Sequence, residues 1–449
     1  MQSLLENMTH ELALDSAAIR WQGVGVLPST FAVSELAAAS IGAAGLALAQ
    51  LLAQQSDSCP LVRVDRRLAS FWFASSLRPQ GWQAPGLWDA IAGDYPTRDG
   101  WIRLHTNAPH HRAAVERVLG ACNERAQVAA QVARWTGDEL ETAVVAAGGC
   151  AAQMRSWLDW CAHPQGQAVN RQPLVLRETF SADPPPLWSG SRARPLAGVK
   201  VLDLTRILAG PIATRLLAGF GAQVLRIDPP GWEEPAVVAE VSLGKRCARL
   251  DLRDPIDRQQ FEGLLADADI LVHGYRAEAL ERLGLGHERR RQLNPGLVDV
   301  SLNAYGWAGP WEGRRGFDSL VQMSTGIARE GMRWQQADHP VPLPVQALDH
   351  ATGYLIAAEA IRGLAQRLRD GSGSRARLSL ARTAKLLIEQ GTLSDDLPLA
   401  LETPEDLDPR IEHTPWGLAQ RLKGPLQVGE AALQWDLGAC ELGSAQPRW

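Results

Sequence analysis

The chain has 449 residues, enough for two or three domains with a sizeable core. Hydrophobic residues make up 45% and charged residues 21%, as in an ordinary soluble globular protein, and a net charge of −5 with pI near 6.1 excludes a basic, nucleic-acid-binding class. The six cysteines (59, 122, 150, 161, 247, 440) form no CxxC pair and no Cys/His cluster at metal spacing; they fit reduced thiols of a cytosolic protein, with no metal and no disulfide framework expected.

In chain order, the first 20 residues carry Glu6, Glu11 and Asp15, which does not suit a signal peptide. The run LAAASIGAAGLALAQLLA (36–53) has near-spanning length, yet its Ala and Gly content with Ser40 and Gln50 predicts a buried helix rather than a membrane span. FSADPPPLWSGSRARPLAG (180–198) is a linker, dense in Pro, Ser and Gly. After it, Val199 to Leu204 reads as a buried strand, Pro211 to Phe220 as a helix and Gln223 to Ile227 as a second strand, a β-α-β unit with parallel pairing. RQQFEGLLADA predicts a helix; ADILVHGY (268–275) and GLVDVSLNAYG (296–306) predict further buried strands. This alternation predicts an α/β fold, a doubly wound, Rossmann-like parallel sheet over about 195 to 340. The turn after the first strand is RILAGP, not GxGxxG, so no nicotinamide or flavin site is assigned. HERRRQ reads as a solvated helix face.

In LPVQALDHATGYLIAAEAIRG (343–363), a short extended run broken by Pro344 gives way to a helical pattern from His350. Tyr354, Leu355, Ala358, Ile361 and Leu364 recur there at three- and four-residue steps. Asp349 stands at the joint, where an N-cap belongs. It either starts a helix or does covalent chemistry. An internal echo links residues 41–73 with 352–387: Gly, small-residue helix, Gln, then a short alternating strand with Arg. Gly42 opposite Gly353 places Ala38 opposite Asp349, so a first copy would lack the carboxylate; chance similarity of two Ala-rich helices is the alternative.

Five ordered segments carry a family resemblance. They are PLAGVKVLDLTRILAGPIATRLLAGFGAQVLRID, LGKRCARLDLRD, ADILVHGYRAEALERLGLG, LNPGLVDVSLNAYGWAGPWEGRRGFDSLVQMSTG and LDHATGYLIAAEAIRGLAQR. Over about 195 to 385 the chain resembles a class III CoA-transferase of the formyl-CoA and carnitine type. GDYPTRDGWIRL and MRSWLDWCAHPQGQAVNRQPLV resemble that family's small domain and the segment after it. The resemblance implies a degenerate copy of the Asp-bearing helix region at 1–84 and a second, smaller α+β domain at 85–180. The linker follows at 181–198, then a nucleotide-type CoA-binding domain with the Asp helix at 199–390; 391–449 has no assignment. In the family the nucleotide-type domain comes first, so this order implies a circular permutation with a duplicated helix.

By this resemblance the chain moves CoA from an acyl-CoA thioester to a free carboxylic acid through an aspartyl anhydride and an aspartyl-CoA thioester. The nucleophile falls on Asp349 in LDHATG. A carboxylate of pKa about 4 is already ionised at neutral pH and needs no base. CoA carries three phosphates and an adenine, and the implied contacts are Lys245, Tyr275, Arg276 and Arg282, with Ile207 and Leu208 at the pantetheine entrance. A surface ion pair of Glu278 with Arg282 is the alternative for that arginine. Gly274 in VHGY stands where the family commonly has Asn, and Pro230 where some members have a basic residue. Two other readings are an α-methylacyl-CoA racemase, whose GHD-like segment is here GFD with Phe317, and a non-catalytic CoA-binding subunit. The presence of Asp349, Arg282 and Asp318 speaks against erosion. The resemblance further implies CoA as substrate with no tightly bound cofactor, a homodimer, and a cytoplasmic location with neither nucleic-acid nor membrane partner.

Overall fold

The computed structural model describes residues 2–14, 18–55, 58–181, 184–391 and 397–449; residues 182 and 183 of the linker lie outside this set. Six strands pair in parallel: Lys200–Leu204, Gln223–Asp228, Lys245–Arg249, Ile270–His273, Val298–Asn303 and Gly373–Ser379. Numbered 1 to 6 along the chain, they lie in the order 3-2-1-4-5-6, the doubly wound arrangement. Strand Ile270–His273 is buried throughout because helices cover both faces, which is why it reads as a continuous apolar run.

The sheet extends beyond the expected 195 to 340. Its sixth strand comes after the Asp349 helix, and Leu176–Phe180, which the sequence placed in the small domain, pairs antiparallel with it as the edge. The third strand, KRCAR, was not predicted as one: its three basic residues hide a pattern in which Lys245 is buried and paired.

The helix Ala347–Asp370 crosses from strand 5 to strand 6 and packs along two others, Val33–Ala53 and Ala209–Gly219. Val33–Ala53 is long and apolar enough to cross a membrane by composition, yet nearly all its residues are buried in this interior. Gly353 permits the second crossing: a Cβ there would stand 2.4 Å from the Ala209 carbonyl oxygen.

The internal echo is structural. Each long helix leads into a strand, Val62–Asp65 or Gly373–Ser379, and then directly into a helix capped by the last strand residue. Asp65 accepts from the Leu68 amide and Ser379 from the Arg382 amide. Each strand has one parallel neighbour and one antiparallel neighbour, Ile19–Gln22 and Leu426–Val428 in the first copy. Counted from the helix starts, Glu35 rather than Ala38 stands opposite Asp349, and its carboxylate is tied to Arg66. The first copy therefore keeps an acid, in an ion pair.

A smaller unit has its own core of Ile91, Tyr95, Ile102, Leu104, Val115 and Leu140 under a three-stranded antiparallel sheet. It joins the larger domain where Cys150 and Ala152 pack on Leu320 and Met323 of helix Asp318–Ser324. The C-terminal segment is integral: strand Gly417–Leu422 pairs with Leu77–Gln80, and Leu426–Val428 completes the first-copy sheet. HERRRQ is not wholly solvated, since Arg290 is buried in an ion pair with Asp299 at 2.7 Å.

Gly353→Ala is expected to destabilise by about 1–3 kcal/mol, because the methyl meets backbone rather than a mobile side chain. A chemical-denaturation midpoint equal to that of the wild type would contradict the close helix crossing.

Candidate active site

Asp349 is the third residue of helix Ala347–Asp370, not its N-cap; Gln346 holds that position and makes no side-chain cap. The cap comes from another helix. The Asp318 carboxylate, fully buried, accepts a hydrogen bond from the Asp349 amide N–H at 2.9 Å through one oxygen. Its other oxygen accepts from the Gln322 side-chain amide, whose carbonyl in turn accepts from the Leu343 N–H at 2.7 Å. A helix N-terminus favours a negative group, which places Asp318 there.

The price of this arrangement is two acids in one buried spot. Burial, followed by the neighbouring Asp318 charge, pushes Asp349 well above the usual carboxylate range. Burial likewise raises Asp318, to about 6, against the lowering effect of the hydrogen bonds it accepts. The expectation that Asp349 is simply ionised at neutral pH is thus corrected: the pair holds a proton more tightly than either acid would in water.

Asp349 opens onto a cavity of about 400 Å³. Its walls are the turn 205–208 after strand 1, Gly274 to Arg276 after strand 4, and Asn303 and Ala304 at the end of strand 5. This is the crevice at the carboxyl ends of the strands where the strand order reverses, the usual ligand position in such sheets. His110 and His111 from the smaller unit, with Arg314, Arg315 and Phe317, close the opposite side.

Buried polar groups fix the turn. Asp203 accepts from the Thr205 N–H at 2.8 Å and from Lys245 Nζ at 3.0 Å. Ile207 takes a left-handed φ of 67°, a strained conformation for a β-branched residue, and its N–H donates to Glu234 at 2.9 Å. Glu234 is itself paired with buried Arg226 at 2.6 Å. Behind the turn, Leu208 and the first residues of helix Ala209–Gly219 line the cavity, and the first amides of that helix have no intrahelical partner.

Of the expected CoA contacts, Ile207, Leu208, Tyr275 and Arg276 line this cavity. Lys245 and Arg282 do not. Lys245 is buried under the turn, bonded to Asp203 and to the Pro211 carbonyl at 2.9 Å, because an ammonium inside the core must spend its donors on internal partners. The Arg282 side chain is 73% exposed, 3.8 Å from Glu278 one helical turn away, so the surface-pair alternative describes it. His350 stacks on Phe73 in the core, and burial pushes it down to about 3, leaving it neutral.

Sequence reasoning missed Arg206, Trp232, Arg314, Arg315 and His111, all on the cavity wall. Arg206 lies over the Trp232 and Tyr275 rings at 4.8 and 5.1 Å and donates to the Tyr275 hydroxyl at 2.8 Å. Its position beside Ile207 was the available signal. Arg314 stacks on Trp311 and pairs with Glu141 at 2.9 Å. Phe317, in place of the racemase histidine, lies flat against His105 at 3.8 Å between ring centres.

Residues 196–406 match the family model for CoA-transferase family III. Acetyl-coenzyme A transferase nodX of Hypoxylon pulicicidum is 33% identical over 217 residues, which are 46% of this chain and 37% of that protein. The Mycobacterium tuberculosis protein named "Probable fatty acyl-CoA transferase Rv3272" is 30% identical over 246 residues, 52% of this chain and 60% of its own. Human succinyl-CoA:glutarate CoA-transferase is 32% identical over 206 residues, 42% and 47% of the two chains. A crystal structure of Rv3272 superposes with a TM-score of 0.40 at 29% identity, over 44% of this chain and 59% of that one. The chain spans about half the length of the curated relatives it matches. Through its α/β domain, residues 196–406, the chain is similar to CoA-transferase family III.

Proposed function

We propose that the chain transfers CoA from an acyl-CoA thioester to a free carboxylic acid, with Asp349 as the nucleophile. The observation that carries this reading is the Asp349 carboxylate set into the cavity at the strand-order reversal, in a domain similar to CoA-transferase family III.

An ionised Asp349 oxygen attacks the thioester carbonyl; the C–S bond breaks, CoA leaves as thiolate and an acyl–aspartyl anhydride remains. The thiolate attacks the Asp349 carbonyl of the anhydride, forming an aspartyl-CoA thioester and expelling the first acid as carboxylate. The acceptor carboxylate then attacks that thioester carbonyl, regenerates an anhydride and releases thiolate. Thiolate attack on the acceptor's carbonyl gives the new acyl-CoA and frees Asp349. No proton is consumed. The tetrahedral oxyanions develop where the first amides of helix Ala209–Gly219 meet the cavity, a suitable donor pair for them. Arg206, Arg276, Arg314 and Arg315 give the cavity the positive rim that three phosphates require.

Asp349→Asn should fold, bind CoA and lose transferase activity by several orders of magnitude. Its stability has a definite pH dependence. Both acids are raised in the folded state, so the stability they give is present at low pH and is lost as pH rises through about 6 and above. The variant should therefore match or exceed the wild type in stability at pH 8 and lose that advantage near pH 4. Undiminished turnover in folded Asp349→Asn would sink the mechanism.

Asp318→Asn keeps an acceptor for the Asp349 amide and removes the neighbouring charge. The acid limb of kcat/KM should move to lower pH, because a like charge no longer opposes ionisation of Asp349. A limb that stays in place, or moves up, contradicts coupling of the two acids.

Arg206→Ala should weaken CoA binding by about 1.5–3 kcal/mol if its phosphate contact is charge-assisted, while Arg282→Glu changes it little. Calorimetry with free CoA compares the two; the opposite ranking would relocate the CoA path.

A further inference from the structure

Among the described residues other than glycine, Ile207 is the one β-branched residue with a left-handed φ, and it lies on the wall of the Asp349 cavity. A conformation of this kind persists only where the surroundings over-determine it, and such residues concentrate at functional sites. Glu234 holds it. This acid is 5% exposed and stands behind the turn rather than on the cavity wall. One of its carboxylate oxygens accepts two hydrogen bonds, from the Ile207 N–H at 2.9 Å and from the Trp232 indole N–H at 3.1 Å. The other oxygen faces the buried Arg226 guanidinium at 2.6 Å, which Asp228 engages independently at 2.8 Å. Neutralising Arg226 therefore does not by itself require the first oxygen. Burial pushes the Glu234 carboxyl above its ordinary range, so its charge is held there at a cost. Trp232 in turn lies under Arg206, with 4.8 Å from the guanidinium carbon to the ring centre, and Arg206 donates to the Tyr275 hydroxyl at 2.8 Å. A single oxygen thus ties the turn that starts helix Ala209–Gly219 to the aromatic plate on which a cavity arginine rests.

We propose that Glu234 is a positioning residue for CoA transfer: it holds Ile207 in its left-handed conformation, which aims the first amides of helix Ala209–Gly219 at the reacting carbonyl, and by the same oxygen it fixes Trp232 under Arg206. Without that acceptor Ile207 relaxes toward the negative φ that a β-branched residue prefers. The peptide plane after it then turns, and the donor amides leave the place where the oxyanion develops. Glycine occupies a positive φ at no steric cost, so a glycine at this position does not depend on the acid. This inference rests on the CoA-transferase reading above.

The test is a double-mutant cycle of Glu234→Ala and Ile207→Gly, read as kcat per folded enzyme by mass spectrometry of the thioester products. Donor and acceptor are the pair that the wild type turns over fastest among acetyl-CoA, succinyl-CoA and butyryl-CoA with acetate and glutarate. Glu234→Ala alone should lower kcat about 10- to 100-fold, whereas the same substitution added to Ile207→Gly should lower it by less than about threefold. Glu234→Gln, which keeps an acceptor oxygen at the same reach, should recover most of the loss. Equal losses in the wild-type and Ile207→Gly backgrounds, or no loss in the wild-type background, would overturn the assignment while leaving the transferase reading intact. Should Glu234→Ala not fold, the double variant is expected to fold; an unfolded double variant would assign the acid to Arg226 alone and overturn the proposal. If the wild type yields no new thioester from any pair, the transferase reading itself fails, and the role of Glu234 in it falls as well.

Discussion

A single buried hydrogen bond, from the Asp349 amide to the Asp318 carboxylate, holds the reactive centre together. It starts the 24-residue helix Ala347–Asp370 at a fixed point, and that helix is wedged between Val33–Ala53 and Ala209–Gly219. Any shift of its first turn would carry Asp349 out of the cavity. The same contact brings two carboxyl groups together inside the protein, so one proton is held more tightly than water would allow. Stability of the helix start and ionisation of the nucleophile are therefore in tension. A rim of arginines that draws in a polyanion is well suited to shift the balance toward the ionised acid when substrate arrives.

Beneath the cavity, polar groups fix a shape that apolar packing alone could not specify. Asp203 holds Thr205 and Lys245; Arg226, Asp228 and Glu234 form a second buried network whose far end grips the Ile207 amide. Each charge is matched, as burial requires. The outcome is a left-handed residue in the turn after the first strand and a helix start aimed at the crevice. The site uses no glycine-rich phosphate loop; ion pairs under the turn do the positioning instead.

The second copy of the helix–strand–helix unit gives the chain its unusual order without loosening its architecture. The first copy keeps the capped strand–helix joint and an acid near the helix start, but Arg66 occupies that acid. The smaller unit lies between the copies in sequence and reaches the second-copy cavity through His110 and His111. Both walls of the cavity thus come from one chain.

The sequence by itself determined the β-α-β alternation from Val199 onward, the burial of the 36–53 helix, the repeat, and the stretch that carries Asp349. These are written in local patterns: apolar runs for strands covered on both faces, three- and four-residue spacing for helices. The family resemblance also pointed to Ile207, Leu208, Tyr275 and Arg276, and these line the cavity beyond strands 1 and 4 at the strand-order reversal. Only the tertiary structure decided the rest. That Asp349 is capped by Asp318, that Lys245 turns inward, that Arg282 points to solvent and that His111 faces the nucleophile's cavity depend on contacts between segments far apart in the chain. Charge on a side chain is legible from its letter, but which neighbour satisfies it is set by packing.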